Sequence, residues 1–191
     1  MSASPLRRCP ESGPSLRAGC EHVLVGEYEP PSNLPSVVRA MLGTTLDRHE
    51  DLAALVTGLP HDALTWTPCA DAPALAGLVL HILDVEGHLA AIAAGEDDHW
   101  AGENGSHILD SATGAALRDA IFDLEARMRA MFASIDNARL EASAPGGGQT
   151  LGQALLEDLD HCAIHHGQAQ LTRNLWEAAH PDAPRTYEHW R

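Results

Sequence analysis

The most informative segment of the chain is Leu155-Leu156-Glu157-Asp158-Leu159-Asp160-His161-Cys162-Ala163-Ile164-His165-His166-Gly167-Gln168-Ala169. Its apolar residues recur at steps of three and four, which predicts a long helix. His161 and His165 are four residues apart, so the two imidazoles lie one above the other on one face of that helix. This spacing lets two ring nitrogens converge on one metal ion, at roughly 2.0–2.1 Å each for zinc.

The rest of the chain predicts three more long amphipathic helices and no convincing strand. Alanine and leucine dominate, and aromatic residues make up only 4% of the chain, which favours helix over sheet. The predicted fold is therefore all-α, a four-helix bundle. The four helices are predicted over residues 34–57, 74–94, 111–135 and 151–179.

Capping and stopping residues set these bounds. Gly58 and Pro60 end the first helix. Ser111 or Thr113 is the predicted N-cap of the third helix, and Thr150 that of the fourth. Between the first two long helices we predict a loop, with Trp66 as a packing anchor.

The chain has the length of one domain with a core of its own. Residues 1–33 are rich in Ser, Pro, Gly and Arg and are predicted to form a flexible, largely irregular N-terminal extension. The bundle is predicted over residues 34–180, and residues 181–191 form a C-terminal tail.

The charge excludes several classes of partner. The chain has 27 acidic against 12 basic residues and a formal charge of −15, and every basic residue is arginine. A protein with this much negative charge repels phosphate backbones and anionic membranes. We therefore expect it to bind neither nucleic acid nor membrane. No apolar run reaches the length of a membrane-spanning helix, and the N-terminus lacks a signal-peptide core.

The cysteines indicate a reduced compartment. Cys9, Cys20, Cys69 and Cys162 are scattered without zinc-ribbon spacing, and a disulfide framework is not expected. The protein is predicted to be cytoplasmic.

A third metal ligand must come from another segment, and His81 is the strongest candidate. It lies among apolar residues of the second predicted helix, and helix bundles build metal sites from the side chains of facing helices. Three neutral imidazoles would leave open positions on a divalent ion, as in a catalytic zinc site. The alternative is that His161 and His165 belong to a solvated histidine run and that His81 is a structural residue.

Three motifs resemble the DinB/YfiT-like superfamily, a group of metal-binding proteins that includes thiol-dependent transferases and mycothiol-dependent maleylpyruvate isomerase. The first is Leu80-His81-Ile82-Leu83-Asp84-Val85-Glu86, and the second is His161-x-x-x-His165-x-Gly167-Gln168. The third is Leu64-Thr65-Trp66-Thr67-Pro68, which precedes the second long helix. The resemblance covers roughly residues 34–180.

This resemblance implies a four-helix bundle, a homodimer and a divalent ion, zinc or nickel, with His81, His161 and His165 as the ligands. It also implies an enzyme that transfers a low-molecular-weight thiol to a small electrophilic substrate, or one that catalyses a thiol-assisted isomerisation. Metal-activated hydrolysis would use the same site. Two alternatives stay open: a non-catalytic metal-binding stress-response protein, and a structural bundle without metal. No catalytic residue is assigned.

Further polar residues are ranked below these three. His49 is expected at the surface. The alternative is that it points into the cavity and acts as a proton carrier. Asp158 and Gln168 are candidates to orient a ligand imidazole, and the alternative for Asp158 is a solvated acidic face. Cys162 is expected to be a small buried residue.

Two other histidines lie close to the predicted ligands in sequence. His88 lies two turns beyond His81 and is expected at the mouth of a pocket or exposed. His166 is turned about 100° from His165, so it should face a neighbouring helix or solvent.

Overall fold

The computed structural model describes residues 31–94, 112–144 and 147–183, and within these ranges the chain is helical apart from turns and one isolated β-bridge. In the described part of the chain, four long helices form the bundle and two helices of five residues lie between them. The helices are α1 (Ser36–Val56), α2 (His61–Thr65), α3 (Leu75–Ala94), α4 (Gly114–Ala133), α5 (Asn137–Glu141) and α6 (Leu151–Ala179).

The four long helices confirm the predicted all-α fold, and each begins and ends within three residues of its predicted bounds. Two predicted N-caps are also confirmed. The Thr113 side chain accepts a hydrogen bond from the backbone N–H of Ala116 at 3.1 Å. At the start of α6, Thr150 and Gln153 form a capping box, with reciprocal hydrogen bonds of 3.2 and 2.9 Å.

The two short helices lie between the predicted long helices, α2 in the predicted loop and α5 between the third and fourth predicted helices. Five residues are too few to show a 3.6-residue period, so hydrophobic patterning could not reveal them. The start of α5 does carry a local signal, because the Asp136 side chain accepts from the backbone N–H of Arg139 at 2.8 Å. No side chain caps the start of α2, which follows Pro60.

The long helices pack in a ring in which α1 contacts α4 and α6, and α3 contacts the same two helices. One apolar cluster joins the C-terminal half of α1 and of α6 to the N-terminal parts of α3 and α4. The second joins the opposite halves of the same helices. Helices α1 and α6 therefore run in one direction, and α3 and α4 run in the other.

Several of the buried polar residues lie at the level where the two apolar clusters meet. They come from α1, α3 and α6, and each is at most 7% exposed. We call this set the polar layer; it consists of Thr45, His49, Glu86, Asp158 and the neighbouring Cys162. Burying polar groups at this depth costs free energy unless they pair with one another. The polar layer therefore calls for a structural or functional explanation.

Helix α3 is, among the described residues, the one helix long and apolar enough to cross a membrane. Half of the relevant stretch is buried inside the bundle, and α3 packs against α4 and α6. These contacts are those of a core helix. Most of the predicted extension (1–33) and of the predicted tail (181–191) lies outside the described residues.

Candidate metal centre

Three imidazoles meet on the side of the bundle where α3 and α6 are adjacent. His81 comes from α3, and His161 and His165 come from consecutive turns of α6. One ring nitrogen from each of the three lies within 4.8 Å of the others. The Nε2 atoms of His81 and His161 are 3.1 Å apart, and the ring centroids are separated by 4.4 to 5.0 Å.

The local sequence explains this meeting. Helix α6 continues without interruption through both histidines, so a spacing of four residues keeps the two rings on one face. That face lies at the edge of the core facing α3, because Asp158 and Cys162 on one side of it are buried and Ile164 on the other side is 54% exposed. His81 reaches the same place from one turn of α3.

Gln168 holds one of the rings in place. Its Oε1 accepts a hydrogen bond from His165 Nδ1 at 2.7 Å, as the sequence suggested. In a neutral imidazole this leaves the lone pair on Nε2. The nitrogen available to an ion is thereby defined, as is usual for metal-binding histidines whose second nitrogen donates to an acceptor.

The residues fit a divalent ion. Two Nε2 atoms that face each other at 3.1 Å can share no more than one proton, and a cation would accept both lone pairs. His161 Nδ1 is buried and has no hydrogen-bond partner among the described residues. Three nitrogen donors from two helices match the protein ligand set of a catalytic zinc site.

The surroundings also favour neutral rings. Burial lowers the pKa of His81, and the positive charge of a protonated His165 lowers it further, whereas Asp84 raises it. Burial and His165 likewise lower the pKa of His161. The neutral imidazole is the form that binds a metal.

The polar layer lies directly behind this centre. His49 Nε2 and Glu86 Oε2 are 2.6 Å apart, and both side chains are almost completely buried. The Cys162 thiol donates to Glu86 Oε1 at 3.4 Å and also lies 3.8 Å from Asp158 Oδ1. The layer therefore links α1, α3 and α6 through one set of contacts.

Two groups of the polar layer have pKa values raised above their ordinary values. Burial raises the pKa of Asp158 to about 7, and the nearby Glu86 carboxylate contributes in the same direction. Burial and the two carboxylates also raise the pKa of the Cys162 thiol. Although the ligand atoms of Asp158, His161 and Cys162 lie within 4.8 Å of one another, a thiol that retains its proton is a poor ligand.

The two described cysteines should therefore react very differently with alkylating reagents. Cys69 is exposed, and Cys162 is buried, as the sequence predicted. In the native protein we expect iodoacetamide to modify Cys162 at least about 100-fold more slowly than Cys69, because both access and thiolate fraction are reduced. Peptide mass spectrometry over time measures both rates. Equal native rates would contradict the buried position, and in concentrated urea the two rates should converge.

The structure corrects two interpretations of the sequence. His49, expected at the surface, is fully buried and paired with Glu86. Asp158 does not accept from a ligand imidazole, since its hydrogen-bond partner is the Cys162 thiol. It is also buried and does not lie on a solvated acidic face.

Sequence reasoning missed Glu86, although a signal was present. Glu86 falls four residues after Ile82 and three before Leu89, on the apolar stripe of α3. A charged residue at such a position predicts a buried partner. His49 interrupts the apolar stripe of α1 in the same manner, so the two breaks together could have predicted the pair.

The other histidines lie as the helical geometry indicated. His88 is half-buried and lines a cavity beside His161. His166 Nε2 lies 3.9 Å from Asp51 Oδ2 on α1, so it faces a neighbouring helix and points away from the three imidazoles.

Fold and site together define a helical bundle with a three-histidine cluster suited to a metal ion. The family model of the DinB superfamily matches residues 45–169, which include all three histidines. The chain belongs to the DinB superfamily.

Two solved structures show the same fold. One is a conserved protein from Enterococcus faecalis, 15% identical, with a TM-score of 0.62 over 73% of this chain and 96% of the other. The second is a DinB-like protein from Bacillus subtilis, 16% identical, with a TM-score of 0.55 over 79% of this chain and 99% of the other. A search of curated proteins found no match.

Proposed function

We propose that this protein is a divalent-metal-dependent enzyme that activates a thiol or a water molecule for attack on a small electrophilic substrate. The observation that carries the proposal is the convergence of His81, His161 and His165, whose nitrogens lie within 4.8 Å of one another although they come from two separate helices. Membership of the DinB superfamily supports it.

Bound there, the ion would lower the pKa of a coordinated thiol or water and so supply a nucleophile near neutral pH. The chain's own residues have defined tasks. His81, His161 and His165 would hold the ion, and Gln168 fixes the ring of His165 through the 2.7 Å hydrogen bond. The polar layer behind them is buried, so solvent and substrate must approach from the side that His81 leaves exposed or through the neighbouring cavity.

Three imidazoles suit zinc or nickel, since nitrogen ligands bind both metals well. We further propose a cytoplasmic homodimer acting on small molecules. Exposed apolar residues on α6, including Leu156, Ile164 and Leu171, support a second copy packing there.

A non-catalytic metal-binding protein is less well supported by the geometry. Such a protein should fill the remaining positions of the ion with its own side chains. Among the described residues, no fourth histidine, cysteine or carboxylate lies close to all three imidazoles. Within the described part of the chain, the other positions of the ion would therefore stay open for a substrate.

Metal content and turnover test the proposal together. Protein purified without chelator should contain about one divalent ion per chain. The loaded protein should consume glutathione, mycothiol or bacillithiol in the presence of a chlorinated or epoxide electrophile, or else hydrolyse an activated ester. Removing the ion with dipicolinate should lower the rate at least about 100-fold, and added zinc or nickel should restore it.

Two results would contradict it. Less than ~0.1 ion per chain would leave a bundle without a metal site. One ion per chain without turnover of any electrophile would favour the non-catalytic alternative.

A further inference from the structure

A cavity of about 280 Å³ opens beside His161, between α3 and α6. One wall is apolar and consists of Val85, Leu89 and Ile92 of α3, with Ala154 of α6 opposite. Its volume is close to the lower end for small-molecule sites, so it suits a short ligand or one part of a larger ligand. Because His161 lies in its lining, a molecule in this cavity reaches the candidate metal centre.

The polar part of the lining is acidic. Glu157 and Asp158 contribute carboxyl groups, and His88 and Gln149 complete the polar groups next to His161. No arginine is among the described lining residues, and the chain contains no lysine. Arg48 acts on the Asp158 carboxyl from outside the lining, so the negative charge that an anion would meet here is chiefly that of Glu157.

Glu157 is positioned as the group that a ligand would meet. It is exposed, and it lies one helical turn before His161, about 6 Å along the axis. With its amide nitrogen facing the carboxylate, Gln149 donates to Oε2 at 3.0 Å and to Oε1 at 3.1 Å. These hydrogen bonds fix the carboxylate while leaving further lone pairs for a donor on a ligand.

We propose that this cavity is the substrate subsite of the metal centre, and that it selects a ligand bearing an ammonium or hydroxyl group, not a carboxylate, on a short apolar body. The proposal rests on the proposed function, because the reacting end of the ligand is placed at the three histidines. The apolar wall accommodates the body, and Glu157 accepts from the donor group.

Three small thiols of similar length test the selection: cysteamine, mercaptoethanol and mercaptopropionate. Their dissociation constants are measured at low ionic strength on the cobalt-loaded full chain, from the change in its visible absorption. We expect mercaptopropionate to bind at least about tenfold more weakly than cysteamine, because like charges repel. The position of mercaptoethanol in the series separates a requirement for an ammonium from one for a hydroxyl group.

Substitution Glu157→Lys should remove this preference. The ratio of the constants for mercaptopropionate and cysteamine should fall at least about tenfold, whereas Glu50→Lys, an exposed substitution on α1 with the same change in net charge, should alter it less than about twofold. The proposal is overturned if mercaptopropionate binds the wild-type protein as tightly as cysteamine does. It is equally overturned if Glu157→Lys leaves the ratio unchanged.

A measurement without metal separates this inference from the proposed function. The S-methyl derivatives of cysteamine and mercaptopropionate are compared by saturation-transfer NMR on the chelator-treated chain. The subsite is supported, even if no metal is taken up, when saturation transfer is seen for S-methylcysteamine but not for the S-methyl derivative of mercaptopropionate. The transfer to S-methylcysteamine should be lost in the Glu157→Lys variant. No transfer to the amine, or equal transfer to both compounds, overturns it.

Discussion

Replacing His81 by alanine is expected to abolish stoichiometric metal binding. His81 is the one member of the cluster that α3 supplies, and its Nε2 lies 3.1 Å from that of His161. The loss of one ligand in three should weaken binding by at least about 100-fold, which is no less than the effect of removing a partner that merely orients a ligand. Elemental analysis after purification, followed by competition with a chelating dye, measures both occupancy and affinity.

The matched control is His166→Ala. His166 is adjacent to His165 on α6, but its ring lies towards Asp51 on α1. This variant should therefore retain the metal content of the wild-type protein. Equal metal content in the wild-type and His81→Ala proteins would remove His81 from the ligand set and leave only a pair of histidines on one helix.

Replacing Glu86 by alanine should cost about 3–5 kcal/mol of the free energy of unfolding, the typical effect of breaking a buried pair from one side. The Glu86 and His49 side chains are 2% and 1% exposed, so His49 would be left buried without its partner. Cys162 would lose an acceptor at the same time. Urea unfolding followed by circular dichroism, with a chelator present, measures the change without a contribution from bound metal.

Two comparisons show whether pairing causes the loss. Asp119→Ala breaks an exposed contact with Arg118, and we expect a change below about 1 kcal/mol. The double variant His49→Leu/Glu86→Leu removes both partners, so it should be more stable than the sum of the two single losses implies. A strictly additive double variant would mean that the two groups do not depend on each other.

The long helices could be predicted because each carries an apolar stripe over five or more turns and ends at a residue that stops or caps it. Thr113 and Thr150 show how local these signals are, since each accepts from a backbone N–H three residues further along the chain. The five-residue α2 and α5 are too short for a period to show.

The three histidines could be predicted because helical geometry places His161 and His165 on one face whatever the rest of the chain does. Their convergence with His81 depends on how α3 and α6 pack, which a single sequence does not contain. The resemblance to the DinB superfamily supplied that information. Asp158 shows the limit, because one helical turn places it near His161 but does not determine which neighbour it contacts.

The polar layer was not predicted because its members come from three helices that are far apart in sequence, and each member looks ordinary alone. His49 and Glu86 become a pair only when α1 and α3 meet inside the bundle. Pattern reasoning assigns an isolated polar residue to the surface, since most such residues lie there. The available clue was that one polar residue interrupts the apolar stripe of α1 and another interrupts that of α3, which together indicate a buried pair.

The origin of the three imidazoles in two helices, at positions 80 residues apart, has a consequence for the life of the protein in the cell. A cation held by both helices would act as a removable cross-link between distant parts of the chain. At a free concentration one hundred times its dissociation constant, it would add about 2.7 kcal/mol to the stability of the folded state. Resistance to proteolysis, and with it cellular abundance, would then rise and fall with metal supply.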